Sequence, residues 1–297
     1  MFAQQLLNGI VVGSTYGLFA LGFTLLFGVA NIMNLAHGSV LMWGAFAGLY
    51  VVTAFGASFP VAILAGAICG GLICVLLDWV AFRPLRQRGT QEFSSIISSI
   101  GASFVLLSIM QQITQTRVMR YPFDLFPRGA FEFLGLRVQV LQLVIMGVVA
   151  VMVLGLFYYL YRTSFGRQVR AVAVSEQTSK LLGINPTAIN FQVFFISGAM
   201  AGIAGVLVGI VFNSVYYMMG DPILLRAFVV VVIGGLGSIP GALIAGLLIG
   251  IIQTLTVAYI SAGLADAIVF STLFVVLLLW PTGLFGGVAA VSRVTRK

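Results

Sequence analysis

The chain opens with MFAQQLLNGIVVGSTYGLFALGFTLLFGVA (residues 1–30), and no charged side chain occurs before Asp78. A transmembrane helix needs about 20 apolar residues, so residues 1–77 have room for roughly three crossings. The first nine residues also lack the basic side chains that begin a cleaved signal peptide. We therefore expect the first apolar stretch to remain in the protein as a membrane helix.

The rest of the chain continues this pattern, with charge-free stretches at 93–116, 138–161, 181–220, 227–265 and 267–292. Hydrophobic residues make up 61% of the chain and charged residues 7%, whereas soluble domains carry about 25% charged residues. No stretch alternates between apolar and polar residues as the strands of a membrane β-barrel do. Helices are then the remaining way to satisfy the backbone hydrogen bonds in lipid. The sequence predicts one all-α, polytopic transmembrane helix bundle over residues 1–297, with eight or nine membrane segments, some broken or re-entrant.

The basic residues predict the orientation. The loops 81–92 and 162–180 are separated by two crossings and share a side, whereas 117–137 faces the other side. With the C-terminal tail placed on the first side, ten basic residues oppose five, which favours that side as cytoplasmic. The ten are Arg83, Arg86, Arg88, Arg162, Arg167, Arg170, Lys180, Arg293, Arg296 and Lys297, and the five are Arg117, Arg120, Arg128, Arg137 and Arg226. Because these charges are scattered over loops, the net charge of +8 does not indicate a nucleic-acid partner.

Two polar or glycine-rich segments interrupt the apolar pattern. The first helix break is NIMNLAHGS (31–39) and the second is GGLGSIPG (234–241). Polar groups and open backbone at membrane depth are costly unless they pair or line a cavity, so both breaks are candidates for the substrate pathway. The candidate residues are Asn31, Asn34, His37, Gly38 and Ser39 in the first break, and Gly234, Gly235, Gly237, Ser238 and Pro240 in the second.

Each break also has a purely structural interpretation. Asn34 or Ser39 could cap a helix, and the glycines of the second break could form a tight turn that Pro240 follows. The segment between Arg226 and the second break is too short for a comfortable crossing, which predicts a half-helix or a re-entrant piece there. Glycines spaced four residues apart, such as Gly9, Gly13 and Gly17, predict close helix packing.

Residues 175–186 have the start and stop signals of a short helix on the basic side. Ser175 is placed to cap it, Glu176 lies in its first turn, Lys180 near its end, Gly183 at its stop and Pro186 beyond. Such a helix between two crossings is either a docking element for a soluble partner or an ordinary solvated loop.

No motif for covalent chemistry is present in the sequence: it has no phosphate loop, no HExxH and no GxSxG. Asp266 is the one acid flanked by apolar sequence, and we expect it at a helix start, where its charge suits the helix dipole. A proton relay at Asp266 is the alternative. We expect a transport subunit without a catalytic or metal site of its own.

Five ordered motifs resemble one known family. They are GSTYGLFALGFTLLFG (13–28), FRPLR (82–86), FGRQVRAVAVSEQTSKLLGINP (165–186), GGLGSIPGALIAG (234–246) and PTGLFG (281–286). The chain resembles the permease subunits of branched-chain amino acid ATP-binding cassette importers, of the LivH type, whose relatives include urea and amide importers. The resemblance covers nearly the whole chain.

This resemblance implies an importer subunit in the bacterial inner (plasma) membrane that carries amino acids or a related small organic solute. It implies a coupling loop at about 162–187, with Arg170, Glu176, Lys180, Leu182 and Gly183 as contacts for an ATPase. It also implies a lipid-embedded complex with a second permease (LivM type), two ATPase subunits (LivG and LivF type) that bind ATP and magnesium, and an extracytoplasmic binding protein. No cofactor is expected on this chain. A stand-alone secondary transporter or channel is the alternative.

Overall fold

The structure is a computed structural model that describes residues 1–87, 92–122, 129–133 and 136–286. In these residues the chain forms twelve α-helices and one two-stranded antiparallel hairpin. The elements are α1 (Phe2–Ala30), α2 (His37–Phe55), α3 (Phe59–Leu77), α4 (Arg83–Gln87), α5 (Glu92–Thr114), β1 (Ala130–Phe133), β2 (Leu136–Gln139), α6 (Val140–Arg162), α7 (Ser164–Val174), α8 (Glu176–Leu181), α9 (Pro186–Val211), α10 (Gly220–Gly234), α11 (Ile239–Tyr259) and α12 (Ala265–Leu279).

Eight helical segments of the described chain are long and apolar enough to cross a membrane. They are α1, α2, α3 with its extension to Arg86, α5, α6, α9, α11, and α12 with the turn before it. Helix α10 has 15 residues and a length of about 22 Å, which is short for a membrane of about 30 Å. The prediction of an all-α bundle with eight or nine segments, including a short one, is confirmed. The small hairpin was not predicted.

The centre of the bundle is built on helices α1 and α9, which are mostly buried, whereas α12 is mostly exposed. Helix α1 packs antiparallel along α11 through facing glycines. A Cβ atom on Gly13 would lie 2.8 Å from the carbonyl oxygen of Gly246. Backbones can approach this closely only without side chains between them, and packing of this kind holds helices together in lipid. The predicted glycine stripes therefore form a seam between the first and eleventh helices.

A second glycine contact joins α9 to α2 and α3. Gly198 and Gly202 of α9 face Gly70 of α3, and Gly202 also meets Gly44 of α2. A Cβ atom on Gly70 would lie 3.0 Å from the Cα atom of Gly202. The bundle core is therefore two glycine-lined seams, α1 with α11 and α9 with α2 and α3.

The two ends of the bundle differ. At the hairpin end, Gln4 exchanges two 3.0 Å hydrogen bonds with the backbone of Arg137 in β2. The Tyr121 hydroxyl donates to the carbonyl oxygen of Ala45 at 2.9 Å, and burial raises its pKa. At the opposite end, here called the coupling end, the rings of Phe82 and Phe194 lie 5.7 Å apart and join the end of α3 to the start of α9.

This arrangement agrees with the predicted sides of the loops. The described basic residues Arg83, Arg86, Arg167, Arg170 and Lys180 lie towards the coupling end, and Arg137 lies at the hairpin end. Arg88, Arg128, Arg293, Arg296 and Lys297, which also entered the charge comparison, lie outside the described residues.

A π-helical turn at Asp78–Phe82 joins α3 to α4. Pro84 lacks an N–H, and its ring crowds the carbonyl four residues before it, which a widened turn relieves. The turn brings Asp78 within 2.6 Å of Arg86, and both side chains are largely buried. The FRPLR motif thus closes a local ion pair at the coupling end.

Candidate translocation and coupling sites

The first helix break is a compact turn between α1 and α2. Asn31 has a φ of 53°, and its N–H bonds to the carbonyl oxygen of Phe27. The Asn34 side-chain oxygen accepts from the Ala36 N–H at 3.0 Å, and the Leu35 N–H donates to Ser99 of α5 at 3.1 Å. Asn31 is exposed, whereas Asn34 is completely buried. The turn is therefore held by side chains in addition to backbone hydrogen bonds.

His37 is the most unusual side chain of this break. It is fully buried in the first turn of α2, stacked 4.8 Å from Phe19 and edge-on 5.9 Å from Phe23, both in α1. Neither ring nitrogen has a hydrogen-bond partner among the described residues. A buried polar group without a partner costs free energy, so the burial of His37 in this arrangement is unfavourable for its two ring nitrogens.

Gly38 and Ser39 fix α2 to two further helices. A Cβ atom on Gly38 would lie 2.8 Å from the carbonyl oxygen of Gly220, the first residue of α10. The Ser39 hydroxyl lies 2.7 Å from the Ser103 hydroxyl of α5. Both residues are buried, so the structure brings the first break against the start of the short helix α10 and against α5.

The second helix break is the turn between α10 and α11. Gly235 and Gly237 have φ angles of 94° and 86°, which favour glycine. Ser238 caps α11 by accepting from the Gly241 N–H at 3.3 Å, and Pro240 lies in the first turn of that helix. Two of the three glycines thus form the tight turn that the structural interpretation expected, and α11 begins at Ile239, one residue before Pro240.

The PTGLFG motif packs on this break. The Leu284 N–H donates to the carbonyl oxygen of Ile233 at 2.7 Å, and a Cβ atom on Gly283 would lie 2.6 Å from the carbonyl oxygen of Val232. Because Gly234 lies against Gly241, the end of α10 is enclosed by the start of α11 and by the segment after α12. The contact of this motif with the second break was not predicted from the sequence.

The coupling segment, residues 162–187, forms two helices. In α8, Ser175 accepts from the Thr178 N–H, Glu176 pairs with Lys180 at 3.0 Å, and Gly183 follows with a φ of 79°. The predicted cap and stop are confirmed. The helix is shorter than the 175–186 span, because Pro186 is the first residue of α9.

Helix α7 was not predicted as a separate element. Its buried residues are Gly166, Val169 and Val172, and the valine spacing of three was the available signal of an amphipathic helix. Val174, Leu181 and Leu182 are 86%, 88% and 73% exposed. We call these three the apolar ridge, because they present hydrophobic side chains at the coupling end.

A cleft of about 160 Å³ lies between the coupling segment and the second break. Its walls include Thr24 and Gly28 of α1, Arg170 of α7 and Gly237. Arg170 donates to the Leu160 carbonyl oxygen and lies 5.4 Å over the Tyr161 ring. Arg170, Gly237 and the end of α1 therefore line the same cleft. The other predicted ATPase contacts lie on α8 or just after it, namely Glu176, Lys180, Leu182 and Gly183.

Sequence reasoning missed a charged cluster in the hairpin half of the bundle. Arg226 of α10 donates to Asp266 of α12 at 2.8 Å and to the Tyr16 hydroxyl of α1 at 3.1 Å. Asp266 does lie in the first turn of a helix, as predicted. The sequence feature that could have indicated this pair is the presence of one arginine and one acid in neighbouring apolar stretches.

Comparison with protein families matches residues 5–279 to the family described as the permease component of the branched-chain amino acid transport system. The chain belongs to this family. Both helix breaks and the coupling segment fall inside the matched region. The chain is thus a multi-pass membrane protein and the permease subunit of an ATP-binding cassette importer.

Individual relatives agree with the family assignment. The high-affinity branched-chain amino acid permease LivH of Salmonella typhimurium is 33% identical, and the alignment covers 96% of each chain. The permease BraD of Pseudomonas aeruginosa is 32% identical over 96% of each chain. The probable LivH permease of Methanocaldococcus jannaschii is 30% identical over 87% of this chain and 82% of its own. No solved structure matches this permease.

Proposed function

We propose that this permease carries a branched-chain amino acid or a related small organic solute into the bacterial cytoplasm. The observation that carries the proposal is the similarity to LivH and BraD, whose names specify branched-chain amino acid transport, over 96% of both chains. In the proposal, this subunit alternates access across the inner membrane with a second, homologous permease. ATP and magnesium bind to two ATPase subunits, and a binding protein delivers the solute outside.

The proposed ATPase contact is the coupling segment. The apolar ridge of Val174, Leu181 and Leu182 is exposed at the basic end of the bundle, where a soluble domain would cover it. Glu176 and Lys180 add a polar border beside the ridge. A hydrophobic centre with a charged border is the usual composition of a protein interface. Under this proposal the coupling end faces the cytoplasm.

The second helix break is the proposed moving part of the pathway. Gly235 and Gly237 form a turn with little side-chain bulk, and the cleft beside Arg170 adjoins it. A displacement of α7 by an ATPase would reach Gly237 through this cleft. The first break contributes His37, whose unpaired ring nitrogens would find partners in another arrangement of α1 and α2. In this proposal the second permease is of the LivM type, and the two ATPase subunits are of the LivG and LivF types.

The experiment is uptake by the complete complex in proteoliposomes. The permease is reconstituted with its partner permease, ATPases and binding protein, with ATP enclosed on the ATPase side. We expect ATP-dependent accumulation of labelled leucine, isoleucine or valine, and urea and phenylalanine serve as comparisons. Uptake that persists without ATP or without the ATPase subunits would support a stand-alone transporter instead. Uptake of urea, without uptake of any amino acid, would identify urea as the substrate instead of an amino acid.

A further inference from the structure

A mainly apolar pocket with three charged residues in its lining lies between α10 and α12 in the hairpin half of the bundle. Its volume is about 330 Å³, within the usual range of small-molecule sites, which begins at about 300 Å³. Its charged residues are Asp221, Arg226 and Asp266, and its apolar walls include Met218, Leu225 and Phe270. The pocket thus combines charges of both signs with a hydrophobic surface.

The charged groups of this pocket leave bonding capacity unused. Arg226 donates through Nε to Asp266 and through Nη1 to Tyr16, so Nη2 remains for another acceptor. Asp221, in the first turn of α10, has no ion pair within the described part of the chain. The pocket lining therefore holds two carboxylates and one guanidinium, of which Asp266 is paired with Arg226 and Asp221 is not.

A structural role alone explains this arrangement poorly. An ion pair placed in a membrane bundle adds little stability, because desolvation of both charges opposes their attraction. Arg226 is only 17% exposed, whereas Asp266, which also lines the pocket, is 54% exposed. The carboxylate is therefore accessible to a solute, while the guanidinium is held in place by Tyr16 and its burial.

The chemistry that fits is a small molecule with a carboxylate, an ammonium group and an apolar side chain. We propose that this pocket binds a zwitterionic amino acid, with its carboxylate at Arg226 Nη2 and its ammonium group at Asp221 and Asp266. Met218, Leu225 and Phe270 contact an aliphatic side chain. This inference rests on the proposed function and adds to it the residues that hold the substrate at the hairpin end, where solute enters.

A labelling experiment tests occupancy directly. In a complex whose permease has Cys69 and Cys74 replaced by alanine, Phe270→Cys places one thiol in the pocket wall. We expect leucine, added up to its solubility, to slow maleimide labelling of this thiol at least threefold. Leucinamide lacks the carboxylate and 4-methylpentanoate lacks the ammonium group, and neither gives this protection. Phe274→Cys, one turn further along α12, is the control whose labelling leucine leaves unchanged.

Two further variants separate binding from packing. With Arg226→Gln the protection of Phe270→Cys by leucine is lost, and leucine uptake falls at least tenfold. The double variant Arg226→Gln with Asp266→Asn removes both charges of the pair. If the pair only stabilises the bundle, the neutral pair restores uptake towards the wild-type rate; for a binding site, uptake stays low. Arg120→Gln, an exposed arginine outside the pocket, keeps wild-type uptake.

The outcomes distinguish the site from the function. If the wild-type complex accumulates leucine but leucine protects neither thiol, or protects both equally, the site is wrong and the proposed function stands. Equal protection by leucinamide and by leucine also overturns the site. If the wild-type complex carries no amino acid, the proposed substrate fails, and the zwitterion site fails with it.

Discussion

The Leu284 N–H donates a 2.7 Å hydrogen bond to the carbonyl oxygen of Ile233, which fastens the segment after α12 to the end of α10. Through this bond the second helix break is held from both sides, by α11 and by the PTGLFG motif. The mobility of this break is then set by residues that lie far from it in sequence. The first prediction addresses this contact.

Gly283→Ala destabilises the contact between PTGLFG and α10. Gly283 has a φ of 80°, and a Cβ atom there would lie 2.6 Å from the carbonyl oxygen of Val232. We expect a loss of about 1–3 kcal/mol from backbone strain, seen as a lower Tm in detergent. Gly147→Ala in α6, where a Cβ meets nothing within 4 Å, is the matched control. Equal Tm values for the two variants would contradict the contact.

Gly13→Ala weakens the seam between α1 and α11. The added methyl group would lie 2.8 Å from both the Gly246 carbonyl oxygen and the Leu247 Cα atom, so the helices must separate. Overpacking of this kind costs about 1–3 kcal/mol. Thermal aggregation of the purified complex measures the loss. Gly155→Ala, with open space around its Cβ position, should aggregate at the wild-type temperature; if both variants behave alike, the seam contributes nothing to stability.

Leu182→Glu and Glu176→Lys both reduce the ATPase activity that loaded binding protein stimulates, by at least fivefold. Leu182 is exposed, and the Glu176–Lys180 pair, which is also exposed, contributes only about 0.3–0.5 kcal/mol, so the permease itself stays folded. Arg83→Gln, an exposed position at the same end but outside the coupling segment, is the control. Full stimulation in both variants would remove α8 from the ATPase contact.

Arg170→Gln separates ATP hydrolysis from uptake. The variant loses the Arg170 bond to the Leu160 carbonyl and the contact with the Tyr161 ring, but leaves the apolar ridge intact. We expect stimulated ATP hydrolysis near the wild-type rate and solute uptake several-fold lower. The exposed Arg167→Gln is expected to keep both rates. Parallel loss of hydrolysis and uptake in the Arg170 variant would indicate a docking role instead.

Ser238→Ala removes the cap of α11, and Ser238→Asp retains it. The hydroxyl of Ser238 accepts from the Gly241 N–H, and loss of such a cap costs about 1 kcal/mol. Of these two variants, we expect a lower Tm for the alanine variant only.

Ser238→Trp places bulk in the second break and blocks uptake while the complex still assembles. Normal uptake by the tryptophan variant would exclude the break from the pathway.

Local signals in the sequence were sufficient for some elements. The cap at Ser175, the stop at Gly183 and the positive-φ glycines at 235 and 237 depend on neighbouring residues only, and the structure contains each of them. Membrane helices were predictable because lipid requires long apolar segments. The number of membrane segments was predicted only as eight or nine, because the segment that forms α10 is short for a crossing.

Contacts between distant residues were not predictable in the same way. Arg226 and Asp266 are separated by a whole helix, and their pairing depends on how α10 and α12 pack. The position of His37 between Phe19 and Phe23 depends on the path of the first break. For the same reason the contact of Gly38, a candidate pathway residue, with Gly220 was not predictable. Bulky substitution there would disturb packing as well as transport.

The seam between α1 and α11 also constrains how the protein is made. Helix α1 leaves the ribosome first, but α11, with which it forms the seam, is synthesised only after the nine helices α2 to α10. Until then the Gly9, Gly13 and Gly17 face of α1 has no matching surface, and other helices in the bilayer can occupy it. Contacts so distant in sequence slow folding. During biogenesis of this permease, the glycine face of its first helix therefore lacks its native partner until synthesis is nearly complete.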